Sequence, residues 1–280
     1  MKKQWAFIDT GFRDAAWNMA FDECLINWHQ EGKIPPTLRF YGWEKPSLSI
    51  GYFQKVDKKI DLEAVERHQC QFVRRLTGGS AVLHDDELTY SLVITESDSD
   101  IPVSVQEAYH VLAEGIFEGY RNLGIPAEYA TLDRESARGR TAICFEKPAF
   151  YEMVVDGKKL SGNAQTRKKG VLMQHGSIPM SMDTNMLFDL FVFSSEKIRE
   201  RSRAAFSKKA VTINQLTSRE HRYDMLADAF KEGFKKGLGL EFHPLQLTKA
   251  EWDEVEQLAQ SKYETEAWNI NSNKERAGIG

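Results

Sequence analysis

The chain has no apolar run near the length of a membrane span, which excludes a spanning helix as its organising element. Cysteine is scarce. Cys24, Cys70 and Cys144 are an odd number with no CxxC pair, which argues against a disulfide framework and against a structural zinc site. No block of like charge occurs and the formal net charge is −4, so the basic footprint of a nucleic-acid binder is missing. There is no internal repeat and no low-complexity tract. The N-terminus, MKKQWAFIDTGFRD, turns acidic before any signal-like apolar region develops, so the chain is expected to be cytoplasmic. What is present is ordinary globular composition, 41% hydrophobic and 28% charged. At 280 residues, one large domain with an appendage is expected.

Periodicity places the elements. Trp5–Asp9 alternates and predicts an opening strand. Asp14–Gly32 predicts a helix, with Ala16, Ala20, Cys24 and Trp28 recurring every fourth residue. Cys24 thus sits in an apolar stripe, as a small buried hydrophobe would. Thr37–Tyr41 and Ser47–Phe53 predict strands, Leu62–Gln69 a short helix capped by Asp61, and Gln71–Arg75 a further strand. Cys70, at that junction, has no base near it in sequence. Ala81–His84 and Leu88–Thr95 also predict strands, and Ser104 to Glu107 spells a capping box that opens a helix ending near Gly124. Beyond Pro179 the expectation is mainly helical: 183–191, 195–206, 223–237 and 248–263, with a short turn at 212–216 and a strand at 240–243.

Two stretches carry turn chemistry and reactive side chains together. The first is RRLTGGSAVLHD, residues 74–85. Its paired glycines mark a sharp turn or a close backbone approach, and two arginines precede them. A ligand loop and a plain hairpin are both open on spacing alone. The second stretch is Thr141–Pro179, which follows a polar, exposed loop over 131–141. Asp156-Gly157 is a type I′ hairpin signal, and 167–170 makes a second turn. Together they predict a three-stranded antiparallel meander over 150–178. Cys144 precedes it and Lys159 lies just past its first turn. The local pattern leaves both readings open for this pair. A lone cysteine is commonly buried filler, and a lysine beside an Asp-Gly turn is commonly solvated. His84 and His175 are equally compatible with satisfied core histidines.

Taken together, FYGW, RRLTGGSAVLHD, KKLSGNAQ and QHGSI resemble the lipoate/octanoate transferase and ligase family, which shares its core with the biotin protein ligases. The resemblance covers about Trp5 to Trp268. It implies an α/β (α+β) fold of the class II synthetase and biotin protein ligase type: a mixed, mostly antiparallel sheet flanked by helices. Residues 1–208 would form the catalytic domain, 209–268 a helical C-terminal extension packed on it, and 269–280 a disordered tail. It further implies that Cys144 accepts an octanoyl group from octanoyl-acyl carrier protein as a thioester. The acceptor would be the lysine of a lipoyl domain, such as the glycine cleavage H protein. Lys159 falls on the family lysine that lowers the pKa of that cysteine. Arg74, Arg75, Thr77, Gly78, Gly79, His84, Ser161, Gly162, His175 and Gly176 fall on motifs that line the acyl pocket. No cofactor, metal, nucleic acid or membrane is implied, and a monomer is expected. Ser80 departs from the arginine or glycine expected after TGG, which bears on the details of the acyl pocket. Cys144 would then lie on a loop at the pocket mouth, near Lys159. Within the fold, an ATP-dependent lipoate ligase and an amidotransferase between lipoyl domains are the alternatives. A non-catalytic lipoyl-domain binder is the alternative from another class.

Overall fold

A computed structural model of the chain describes residues 2–56, 59–130 and 153–270. The order is β1 (Lys3–Arg13), α1 (Ala15–Gln30), β2 (Thr37–Trp43), β3 (Ser47–Ile50), α2 (Leu62–Arg67), β4 (Gln71–Arg74), β5 (Val82–His84) and β6 (Glu87–Thr95). It continues with α3 (Val105–Asn122), β7 (Glu128–Tyr129), β8 (Met153–Val155), β9 (Lys158–Lys159), β10 (Gly162–Lys168) and β11 (Val171–Pro179). Helices α4 (Thr184–Asp189), α5 (Glu196–Phe206), α6 (Ile213–Thr217) and α7 (Tyr223–Leu238) follow. Strand β12 (Leu240–Pro244), helix α8 (Lys249–Leu258), a π-helical turn (Ala259–Tyr263) and α9 (Glu266–Asn269) close the described part.

Local chemistry accounts for many of these bounds. Asp14 caps α1 by accepting from the Trp17 N–H, and Asp61 and Ser104 do the same for α2 and α3. Thr248 and Glu251 make the reciprocal capping box of α8. Gly239 ends α7 with φ 65°, where a side chain would carry a steric penalty.

The main sheet has six strands in the order β10–β11–β6–β2–β1–β12. Strands β12, β1 and β2 run parallel, and the β2–β6, β6–β11 and β11–β10 pairs are antiparallel. Alternation along each strand sorts side chains onto two faces. Leu38, Phe40, Tyr90, Leu92 and Leu172 enter the core shared with α3 and α7. Tyr41, Trp43, Val93, Val171 and Met173 join the core formed with α1 and the C-terminal helices. Helices α3 and α7 approach closely because glycines stand at their contact. A Cβ on Gly233 would lie 2.3 Å from the backbone N of Gly119. Phe230 and Phe234 are fully buried there, a contribution of about 1.5–3 kcal/mol each. A second sheet, β4–β3–β5, packs with α2, α4 and α5 around Leu48, Ile50, Phe188 and Phe206. No described helix is long and apolar enough to cross a membrane.

The structure divides the expected meander. β8 and β9 pair around Asp156-Gly157 and join β7 in a small sheet of their own, whereas β10 and β11 join the main sheet. Both turns have two successive positive φ angles, 50° and 71° at Asp156-Gly157 and 55° and 75° at Lys169-Gly170. The type I′ signal at Asp156-Gly157 therefore holds, and the second turn takes the same form. The break falls at Leu160-Ser161. There Lys159 pairs its other backbone edge with another segment: its N–H donates to Lys209 O at 2.7 Å, and Val211 N–H donates to Lys159 O at 2.9 Å. A hairpin signal specifies the two strands beside it and carries no information about which sheet they enter. Within 209–268, β12 is an edge strand of the main sheet. Asn269, expected in the tail, is instead the buried last residue of α9. Residues 271–280 lie outside the described residues.

Candidate active site

Two neighbouring rows of the main sheet floor a cleft on its α1 side. Ala164, His175, Ser91 and Arg39 form the first row, across β10, β11, β6 and β2. Gly162, Ser177, Thr89 and Tyr41 form the second. At the sheet edge both rows end in a residue with at most a methyl group, which leaves room above it. Met19 of α1, Ser49 of β3, Val82 and His84 of β5, and the segment from Arg75 to Gly79 supply the other walls. The space over the cleft, open solvent at its mouth included, is about 450 Å³.

Arg75 is the hub of its polar lining. Nε donates to Thr77 Oγ1 at 3.1 Å, one terminal nitrogen donates to Ser49 Oγ and Ser49 O, both at 3.2 Å, and the other donates to Gly78 O and Ser80 O, both at 2.8 Å. A guanidinium has only donors, so both hydroxyls must accept from it and direct their own protons elsewhere. Thr77 Oγ1 lies 2.6 Å from His175 Nε2, and Ser49 Oγ lies 2.7 Å from His84 Nε2. Each hydroxyl therefore bridges the Arg75 guanidinium and an imidazole nitrogen. The opposite nitrogens meet carboxylates: His175 Nδ1 is 3.4 Å from Asp22 Oδ2, and His84 Nδ1 is 2.8 Å from Glu87 Oε1. Both ring nitrogens of each histidine are thus engaged within the protein, and neither histidine presents a free lone pair to a metal.

The carboxylates are in turn surrounded by donors. Asp22 accepts from Arg39 at 2.8 Å, Ser91 at 2.7 Å and Tyr41 at 3.3 Å. Burial alone would raise Asp22, but the hydrogen bond from His175 and the Arg39 charge outweigh it and hold the carboxyl below its ordinary value. Burial pulls His175 below its ordinary value, partly offset by the hydrogen bond and attraction to Asp22. Glu87 accepts from Ser177 at 2.5 Å and from Thr89, and Thr89 accepts from Trp43 Nε1 at 2.8 Å. The Trp43 ring stacks on His84, centroids 4.1 Å apart.

Of the residues expected at the site, Arg75, Gly79, His84, Gly162, His175 and Gly176 line the cleft. Thr77 and Gly78 hold Arg75 in place behind it. Ser161 is buried and accepts from Asn163 Nδ2 at 3.3 Å. Gly176 is required by packing, since a Cβ there would sit 2.0 Å from Asn163 Oδ1. Arg74 stands apart: its guanidinium binds main-chain carbonyls of residues 51–54 and of Trp268 and Asn269. Lys159 is 1% exposed, against the solvated position usual beside an Asp-Gly turn. Cys144 and the loop 131–141 lie outside the described residues. Burial pushes the Cys70 thiol up to about 12 and raises that of Cys24 further, so neither is primed as a nucleophile.

The sequence reading missed Asp22, Arg39, Ser49, Trp43, Glu87, Thr89 and Asn163. A signal for several of them existed. Glu87, Thr89 and Ser91 are polar at every second position, alternating with Leu88, Tyr90 and Leu92. Asn18 and Asp22 are polar, four apart, on the buried side of α1.

The Lipoyl protein ligase A/B catalytic domain family matches residues 14–235. The chain is 54% identical over 263 residues to the octanoyltransferase LipM of Oceanobacillus iheyensis, covering 94% of this chain and 96% of that protein. It is 53% identical over 271 residues to the octanoyltransferase LipM of Halalkalibacterium halodurans, covering 95% and 98%. Among solved structures, one from work on an archaeal bi-partite lipoate protein ligase and its E2 lipoyl domain, from Thermoplasma acidophilum, matches with a TM-score of 0.77. Identity there is 25%, over 96% of each chain.

Proposed function

The chain belongs to the lipoyl protein ligase A/B catalytic domain family, and from that premise we propose that it is an acyltransferase that moves octanoyl groups in lipoate biosynthesis. The observation that carries this is near-full-length identity above 50% to octanoyltransferases. The donor is octanoyl-acyl carrier protein and the acceptor a lipoyl-domain lysine, for which the glycine cleavage H protein is the candidate. The Cys144 thiolate attacks the donor thioester carbonyl. A new C–S bond forms, the old one breaks, and the carrier's thiolate leaves and takes up a proton. The acceptor amine then attacks the Cys144 thioester, an amide forms, the amine loses its proton and the thiolate is regenerated. Loading exchanges one thioester for another and needs no ATP; amide formation makes the whole transfer downhill.

Two features support this reading. Lys159 is buried just past the Asp156-Gly157 turn, and a thiolate brought beside its ammonium would be favoured by about 1–3 pKa units. The cleft combines apolar walls at Met19, Val82, Tyr41 and Trp43 with hydroxyls at Ser49, Thr89 and Ser177, which suits an aliphatic chain ending in a carbonyl. Intact-mass analysis tests the mechanism. Wild type incubated with octanoyl-carrier protein should gain one octanoyl group, and lose it on addition of the lipoyl domain. Full transfer by Cys144→Ser would rule out the covalent route.

A further inference from the structure

Arg74 belongs to the same arginine pair as Arg75 but faces a different structure. Its guanidinium gathers one turn and the C-terminal helix onto one side chain. One terminal nitrogen donates to Gly51 O at 3.0 Å, Tyr52 O at 3.2 Å and Gln54 O at 2.6 Å. Nε donates to Trp268 O at 3.1 Å, and the remaining nitrogen donates to Asn269 O at 2.8 Å. The main chain of Arg74 completes the clamp. Its N–H donates to Asn269 Oδ1 at 2.8 Å, and its carbonyl accepts from Trp268 Nε1 at 2.9 Å. Arg74 is fully buried, and so is most of Asn269.

The clamped turn is itself pressed against the cleft. Tyr52 N–H donates to Thr77 O at 2.7 Å, and Arg75 N–H donates to Ile50 O at 3.0 Å. Gly51 approaches Gly79 so closely that a Cβ on it would lie 2.0 Å from Gly79 O. Gly79 has φ 100° and lines the cleft. A displacement of the 51–54 turn therefore moves the glycine wall directly, because main chain touches main chain with no side chain between them to absorb it.

We propose that Trp268 and Asn269, acting through Arg74, are positioning residues for the acyl cleft: they hold the 51–54 turn and the Gly78-Gly79 wall at the spacing that selects the acyl chain. The inference rests on the octanoyltransferase reading for its kinetic consequence but not for its structural one. Two full-length variants test it. Trp268→Phe keeps the ring and deletes the donor to Arg74 O. Asn269→Ala deletes the acceptor for Arg74 N–H. Asn122→Ala, which removes an exposed hydrogen bond from Asn122 to Ala229 O between α3 and α7, is the control.

Amide hydrogen exchange is the first readout. The Tyr52 and Arg75 amides should exchange on the order of tenfold faster in both clamp variants, and at the wild-type rate in the control. Selectivity is the second. The ratio of kcat/KM for octanoyl- over decanoyl-carrier protein should fall severalfold in the clamp variants and stay constant in Asn122→Ala. Unchanged exchange at Tyr52 and Arg75 would overturn the clamp. Faster exchange with unchanged selectivity would overturn its role in the cleft. A wild-type protein that transfers no octanoyl group would instead sink the functional reading, and the exchange measurement would still decide the structural one.

Discussion

Arg75 has five donors, and the protein uses them to fix two hydroxyls against two histidines it does not touch. The link runs through Thr77 on one side and Ser49 on the other, and each histidine is completed by a carboxylate. The pH consequence follows from His175. Its folded pKa lies below the ordinary 6.5, so between those two values the unfolded chain binds a proton that the folded chain does not. The stability contributed is fully present above about pH 6.5 and is lost as pH falls below it, by up to about 1.4 kcal/mol per pH unit. Urea unfolding at pH 7.5 and 5.5 should show a steeper loss in wild type than in His175→Gln; equal slopes would contradict the lowered pKa of His175. A second prediction at this scale concerns Lys159. Cys24 and Cys70 are buried, so alkylation by iodoacetamide at pH 7 should report Cys144. Lys159→Met, which suits a buried position, should slow it by at least about tenfold, as expected when a neighbouring charge worth 1–3 pKa units is removed. An unchanged rate would separate Lys159 from the cysteine.

Elements meet most tightly where α3 crosses α7. Gly115 and Gly119 on one helix face Gly233 and Gly237 on the other, and a Cβ at any of the four would fall within 2.6 Å of a neighbouring atom. Gly233→Ala should destabilise the protein by about 1–3 kcal/mol despite the better helix propensity of alanine, because its Cβ meets backbone, not a movable side chain. Thermal unfolding checks it, and a stabilised Gly233→Ala would show that the helices part freely. Single elements were legible from caps, alternation and turn residues, which act over a few positions. The pairing of β9 with 209–211 was not, because it is made by backbone groups that every residue carries.

For the whole molecule, the question is whether the C-terminal third is an appendage. Leu226, Phe230, Phe234 and Leu240 are buried in the same core as Phe40 and Tyr90 of the main sheet. Glu254 and Glu256 of α8 accept from Trp28 and Trp17 of α1. A chain ending at residue 208 would expose these surfaces on both faces of the sheet. It should fail to unfold cooperatively, while the full chain should show one transition by circular dichroism and by tryptophan fluorescence. Two separated transitions in the full chain would instead support independent units.

What the sequence determined by itself was local or cumulative: the strands and helices, the hairpin turns, the glycine pair before a strand and the motifs that identify the family. Each is specified by residues a few positions apart. Tertiary structure alone decided which polar groups share a buried cluster. Asp22 reaches His175 across 153 residues, and Arg74 reaches Asn269 across 195. Such contacts are selected because a buried donor or acceptor without a partner is costly, a constraint that acts on positions in space and leaves little trace in spacing along the chain. The two arginines at 74 and 75 show the difference most clearly. Neighbours in one motif, they point to opposite tasks, one building the cleft and the other anchoring the C-terminal helix to it.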